Sequence, residues 1–98
     1  MRNTEIFKQI VKLIVAYKKP KKIVIFGSRA RSDFKDTSDI DIAIFDRDWN
    51  DTDINLIKDA IQEGIKTPLK IDVVNFHSLE KARLRANILK EGRVLYES

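Results

Sequence analysis

The fold is decided by residues 26–45, which read Phe-Gly-Ser-Arg-Ala-Arg-Ser-Asp-Phe-Lys-Asp-Thr-Ser-Asp-Ile-Asp-Ile-Ala-Ile-Phe. An apolar strand is predicted to end where this stretch begins, and the glycine-serine pair then forms a tight turn. A second apolar strand opens with Asp39 and Asp41. Aspartate is disfavoured inside a strand, so Asp41 needs a partner that compensates for the burial of its charge.

Asp39 and Asp41 are two residues apart on this predicted strand, so their side chains point to the same face of the sheet. Their Cα atoms are then roughly 6–7 Å apart, which lets both carboxylates lean onto one cation. Like charges this close would raise the pKa of one carboxyl group, and a divalent metal ion removes that cost. The Gly27-Ser28 turn supplies backbone N–H groups that suit phosphate oxygens. Together these features indicate phosphoryl or nucleotidyl transfer.

The composition predicts one small domain spanning residues 1–98. Hydrophobic residues make up 43% and charged residues 35% of the chain, which is typical of a soluble globular protein. Cysteine is absent and His77 is the single histidine, so thiolate and histidine-based zinc sites are not expected. Neither a membrane-spanning run nor a signal peptide is apparent, and we therefore expect a cytoplasmic protein. The net charge of +4 favours an anionic ligand such as a nucleotide, and only weakly favours direct nucleic-acid binding.

Helices and strands alternate along the rest of the chain, which predicts an α/β protein. The last helix is expected to begin after a cap at Ser78 and to bury a stripe that includes Leu89. Residues 46–53 are predicted to form an exposed loop, and Asp51 or Thr52 is predicted to cap the helix that follows. The predicted helices cover residues 4–18, 52–64 and 79–91, one helical turn covers 28–33, and the strands cover 22–27, 39–45, 69–76 and 94–96.

Asp72 interrupts the apolar strand 69–76 in the way that Asp41 interrupts its own strand. It could be a lone carboxylate on an edge strand. It could also be the third member of a carboxylate cluster, in which case it is the best candidate for the base that takes a proton from an attacking hydroxyl, or it could share a metal. His77, which directly follows the predicted strand 69–76, is interpreted as a strand-end residue.

The combination of Gly27-Ser28, Asp39-x-Asp41 and a later strand aspartate, Asp72, resembles the nucleotidyltransferase superfamily of the DNA polymerase beta type. Over its whole length the chain looks like the minimal nucleotidyltransferase (MNT) proteins. The Gly-Ser-Arg-Ala-Arg and Ser-Asp-Ile-Asp-Ile-Ala-Ile segments match their pattern. The resemblance implies a nucleotidyltransferase fold, a small mixed β-sheet flanked by helices.

The resemblance also implies roles for individual residues. Gly27, Ser28 and Arg29 are expected to bind the nucleoside triphosphate. Three aspartates are expected to form the catalytic and Mg²⁺-binding set, namely Asp39, Asp41 and Asp72. The family commonly has glycine where this chain has Ser32, and glycine permits a positive φ or a close phosphate approach that serine hinders.

For function, the resemblance implies transfer of AMP from ATP to a hydroxyl group, expected to be that of a tyrosine, on a helical HEPN-type toxin encoded nearby. The protein would then be the antitoxin of a toxin–antitoxin pair. Two alternatives remain open at this point. One is a non-catalytic antitoxin that neutralises its partner by binding alone. The other is a small-molecule nucleotidyltransferase, although 98 residues leave little room for a substrate domain.

Overall fold

The computed structural model describes residues 3–27 and 39–98. Within these ranges the chain forms three α-helices and four β-strands. The helices are α1 (Asn3–Tyr17), α2 (Asp51–Gly64) and α3 (Ala82–Glu91). The strands are β1 (Lys22–Phe26), β2 (Ile40–Phe45), β3 (Ile71–Asn75) and β4 (Arg93–Glu97). None of the helices in this part of the chain is long and apolar enough to cross a bilayer.

The four strands form one mixed sheet in the order β3-β2-β1-β4. β1 pairs antiparallel with both β2 and β4, whereas β2 pairs parallel with β3. A parallel pair needs a crossover connection, and α2 provides it between β2 and β3. The predicted small mixed sheet flanked by helices is therefore confirmed.

The two faces of the sheet differ in how they are covered. One face packs under α1 and α2 in a core made mostly of isoleucine, to which α2 contributes Ile54, Ile57 and Ile61. This core includes Ile6, Ile10, Ile14, Ile23, Ile25, Ile40, Ile42, Ile44, Ile54, Ile57, Ile61 and Ile65. The opposite face buries a smaller cluster of Val24, Ala43, Phe45 and Ile88. The alternation along β2 thus puts the isoleucines on the first face and leaves Asp41 on the second.

The prediction that residues 46–53 form an exposed loop was wrong in part, because residues 51–53 open α2 and three of the eight side chains are buried. Asp46 and Asp53 are each 8% exposed and Trp49 is 3% exposed. The Asp46 carboxylate accepts hydrogen bonds from the backbone N–H groups of Lys21, at 3.1 Å, and Asp48, at 2.8 Å. These bonds compensate for burial of the charge and hold the loop against Lys21, which directly precedes β1.

The cap of α2 was also predicted one or two residues too late. Asn50, not Asp51 or Thr52, is the N-cap residue. Its side-chain oxygen accepts a hydrogen bond from the Asp53 N–H at 2.9 Å, and the Asp53 carboxylate accepts one from the Asn50 N–H at 3.0 Å. This reciprocal capping box satisfies two backbone donors that the first turn of a helix leaves unpaired.

The third strand and the last helix differ from their predicted bounds. The strand ends at Asn75, because Phe76–Ser78 forms a 3-10 turn in which the Asn75 side chain accepts a bond from the His77 N–H at 3.2 Å. Consequently α3 begins at Ala82 rather than at residue 79, and Ser78 does not cap it. The predicted buried stripe was wrong as well, since Leu89 is 64% exposed and Ile88 is 1% exposed.

Candidate active site

The parallel register of β2 and β3 brings two of the predicted site residues side by side. Asp41 is the direct partner of Asp72, and both side chains lie on the face opposite the isoleucine core. Asp39 immediately precedes β2 and is exposed. Its charge, like that of Asp72, acts on Asp41. The three predicted carboxylates therefore cluster at one end of the sheet.

The environment of Asp41 disfavours its charged form. Partial burial is the largest cause that raises the pKa of Asp41, followed by the negative charges of Asp72 and then of Asp39. The Lys70 ammonium acts in the opposite direction and lowers this pKa. A cation placed among the carboxylates would offset the repulsion, so this end of the sheet is prepared for positive charge.

Gly27 follows β1 and lies directly against the Asp41 carboxylate. Its φ of +76° is one that side-chain-bearing residues rarely adopt. A Cβ atom built at this position would lie 2.8 Å from Oδ2 of Asp41. Both the turn and the close approach thus require glycine here. Ser28, Arg29 and Ser32, together with the predicted helical turn at 28–33, fall outside the described residues.

Asp72 has a cationic partner that the sequence did not reveal. The Nζ atom of Lys58, on α2, lies 3.3 Å from Oδ1 of Asp72, and the two side chains are 42% and 43% exposed. Lys58 follows a buried isoleucine on an ordinary amphipathic helix, so the sequence carries no signal that would single it out. An ion pair this exposed contributes little to stability, and Asp72 can leave it at low cost.

The donor set fits a hard divalent cation, since Mg²⁺ prefers carboxylate and phosphate oxygens. Among the described residues, however, no group of three or more acidic or histidine side chains stands ready to hold a metal ion. Asp72 is turned toward Lys58, so the residues best placed as ligands are Asp39 and Asp41. We expect Asp72 to join them by leaving its lysine.

His77 lies away from this cluster. It follows the far end of β3, whereas Asp72 lies near the strand's beginning. Its pKa is lowered by partial burial and by the positive charge of Arg47, against the weaker effect of Asp46. The prediction that His77 is a strand-end residue agrees with its position in the 3-10 turn directly after β3.

Comparison with known proteins connects this geometry to a family. Residues 8–98 match the family described as polymerase beta, nucleotidyltransferase. A candidate protein adenylyltransferase from Methanocaldococcus jannaschii is 39% identical over 85 residues, covering 78% of each chain.

Solved structures share the fold. A toxin–antitoxin crystal structure with AMP-PNP has a TM-score of 0.74 at 23% identity, covering 94% of this chain and 73% of the other. The MntA-HepT toxin–antitoxin structure has a TM-score of 0.71 at 21% identity, covering 98% and 74%. A structure described as a candidate minimal nucleotidyltransferase has a TM-score of 0.67 at 22% identity, covering 92% and 89%. By its sequence match and its fold, the chain belongs to the polymerase beta nucleotidyltransferase family and is an enzyme of that class.

Proposed function

We propose that this protein transfers AMP from ATP to a hydroxyl group of a partner protein, with Mg²⁺ held by Asp39, Asp41 and Asp72. The observation that carries the proposal is the register pairing of Asp41 with Asp72 beside the Gly27 turn. Membership of the family supplies the reaction class. The carboxylate cluster supplies a place where the nucleotide phosphates and the acceptor oxygen can meet.

In the proposed reaction the acceptor oxygen attacks the α-phosphorus of ATP, a new P–O bond forms, and the bond to the β-phosphate oxygen breaks. Pyrophosphate leaves with that oxygen. Asp72 takes the proton of the acceptor hydroxyl once it has left Lys58. Because Gly27 has no side chain, the triphosphate would be able to approach a cation held beside the Asp41 carboxylate. Mg²⁺ held by Asp39 and Asp41 would supply charge neutralisation for the phosphates.

A protein acceptor is favoured over a small molecule. The relative from Methanocaldococcus jannaschii is described as a candidate protein adenylyltransferase. The solved structures that share this fold include toxin–antitoxin complexes. We propose that the acceptor is a tyrosine of a helical HEPN-type toxin encoded nearby. Transfer of AMP to that tyrosine would neutralise the toxin, so this chain would be its antitoxin.

The test is transfer of label from [α-³²P]ATP in the presence of Mg²⁺ and the protein encoded next to this chain. We expect label on the partner with wild-type protein and its loss with Asp41→Asn. Replacement of the partner's modified tyrosine by phenylalanine should also abolish labelling. Absence of label under conditions where the two proteins form a complex would overturn the proposal.

One observation favours a second function, neutralisation by binding alone. The ammonium group of Lys58 occupies the Asp72 carboxylate that catalysis needs. If binding suffices, Asp41→Asn should both form the complex and neutralise the toxin as well as wild type does. Complex formation without neutralisation would exclude this second function.

A further inference from the structure

An apolar groove runs between α1 and β4, on the side of the molecule away from β3. Each buried isoleucine of α1 is followed by another apolar residue. These residues, Phe7, Val11 and Val15, form a second row at four-residue spacing. Together with β4 this row lines an open groove of ≈ 620 Å³, whose apolar walls include Phe7, Val11, Val15, Val94, Leu95 and Tyr96. Val94 is 52% exposed. Apolar surface of this kind on a small protein indicates a site that another molecule covers.

The form of β4 argues against a further β-strand as the occupant. β4 is an edge strand, but its pairing with β1 contains an irregularity. Ile23 pairs with Tyr96 and Val24 with Val94, so Leu95 is the extra residue of a bulge. A bulge interrupts the regular edge that an added strand needs, and edge strands are protected from pairing in this way. It also explains how three consecutive residues of β4 line one groove.

The charge around the groove selects the chemistry of the occupant. Lys8 and Lys12 line the groove beside its apolar wall and are both exposed. A second copy of this chain would bring four such lysines together, and the chain carries a net charge of +4. Like charges brought together in one interface oppose self-association, whereas acidic side chains flanking an apolar stripe would complement the groove.

We propose that this groove is a docking site for an acidic amphipathic helix of a partner protein. The apolar face of that helix packs on Val11, Val15 and Val94, and its carboxylates meet Lys8 and Lys12. Helices that bind grooves present apolar residues at three- and four-residue spacing. Phe7, Val11 and Val15 on α1 have the same four-residue spacing, so the two rows can pack along each other. The site extends the proposed function by giving the partner an anchor, but it is a binding site whose test does not involve nucleotide transfer.

The groove and the carboxylates lie on different parts of the sheet. β1 separates β4 from β2, and β3 lies beyond β2. At about 4.8 Å between neighbouring strands, β4 is roughly 10–15 Å from the strands that carry the aspartates. A helix docked in the groove therefore leaves the carboxylates open to ATP and to a hydroxyl from elsewhere in the partner.

The test uses two synthetic helical peptides with the same apolar stripe, one flanked by glutamates and the other by lysines. Binding to the full chain is measured by fluorescence anisotropy, and the site is located by amide chemical shifts. We expect the glutamate peptide to bind, and Val94→Asp to weaken it at least about tenfold. Leu56→Asp is the matched control, since Leu56 is 49% exposed on α2, and it should leave binding unchanged.

Charge reversal gives a second variant that does not alter the apolar surface. Exchange of Lys8 and Lys12 for glutamate should shift preference to the lysine peptide. Equal binding of both peptides, shifts outside the groove, or loss of binding in Leu56→Asp would overturn the proposal. So would a dimer in sedimentation experiments that Val94→Asp dissociates, because the occupant would then be a second copy. Failure of labelled transfer with intact peptide binding would refute only the proposed function.

Discussion

Asp41 on β2 lies directly opposite Asp72 on β3, in the only parallel pair of strands within the described sheet. Because paired residues of adjacent strands share a face, two negative charges are held next to each other by backbone geometry alone. Partial burial first, and then the negative charge of Asp72, raise the pKa of Asp41. A site that maintains such repulsion in the folded state is prepared for a cationic ligand.

Asp41→Asn is expected to lose activity and gain stability. If Asp41 holds Mg²⁺ as we propose, loss of its carboxylate should reduce transfer by about a hundredfold or more. The raised pKa means that the ionised carboxylate destabilises the fold, fully so above this pKa. The penalty fades as pH falls toward the ordinary aspartate value. Without metal, the variant should therefore resist urea better than wild type at pH 7 but not at pH 3. A variant less stable than wild type at pH 7 would contradict this account of Asp41.

Asp53 should make the fold less stable in acid, which is the opposite of the effect of Asp41, because the pKa of Asp53 is lowered. The Tyr17 hydroxyl is the first cause that lowers the pKa of Asp53, followed by the Asn50 backbone N–H and Lys18. A lowered pKa stabilises the fold above the ordinary aspartate value, and this contribution is lost as pH falls through the folded-state pKa. Tyr17→Phe should thus be less stable than wild type at pH 7, with the difference shrinking below pH 4. Urea unfolding, followed by the fluorescence of buried Trp49, measures the unfolding free energy of wild type and of Tyr17→Phe at each pH. A difference that does not depend on pH would mean that the hydroxyl acts by other means.

Gly27→Ala should damage both the fold and the activity. The left-handed backbone costs a residue with a side chain about 1–2 kcal/mol, and the new methyl group would collide with the Asp41 carboxylate. Gly64→Ala is the matched control, because its new methyl group would meet only the flexible end of Leu13, at 3.3 Å. Its unfolding free energy should change by less than about 1 kcal/mol. Similar losses in both variants would show that neither the φ angle nor the carboxylate contact is special.

Lys58→Met should make the site easier to load with metal. The lysine competes for Asp72 through a half-exposed ion pair worth about 1 kcal/mol or less. The Mg²⁺ concentration for half-maximal transfer should accordingly fall about twofold to fivefold. Direct Mn²⁺ binding, followed by electron paramagnetic resonance, should change by the same factor. Weaker binding in the variant would instead make Lys58 a contributor to phosphate or metal binding.

Much of the sheet could be predicted from the sequence because its local pattern is unambiguous. Ile40, Ile42 and Ile44 alternate with Asp41 and Ala43, and only a strand with two different faces satisfies that order. The strand interior is also a poor place for aspartate, which made Asp41 a candidate site residue. The parallel register that places Asp72 beside Asp41 is a long-range property, and the sequence pattern left Asp72 as either a lone edge-strand carboxylate or a member of the cluster.

The errors arose where distant contacts outweigh local pattern. Asp46 was expected to be exposed, but backbone donors that include Lys21, twenty-five positions away, make its burial possible. On α3, both Leu89 and Ile88 fit a helical stripe. Ile88 is the one that is buried, because it packs in the cluster with Val24 and Ala43 of the sheet. Lys58 was missed for the same reason, because its partner is on another element.

We propose that Asp39, Asp41 and Asp72 form one site for a metal-bound nucleotide. Mn²⁺ added with a non-hydrolysable ATP analogue would test it most directly, by paramagnetic broadening of backbone amide resonances. The account predicts that the amides of Gly27, Asp41 and Asp72 broaden in wild type and stay sharp in Asp41→Asn, while that of His77 stays sharp in both. Broadening that spares Asp72, or that persists unchanged in Asp41→Asn, would contradict it.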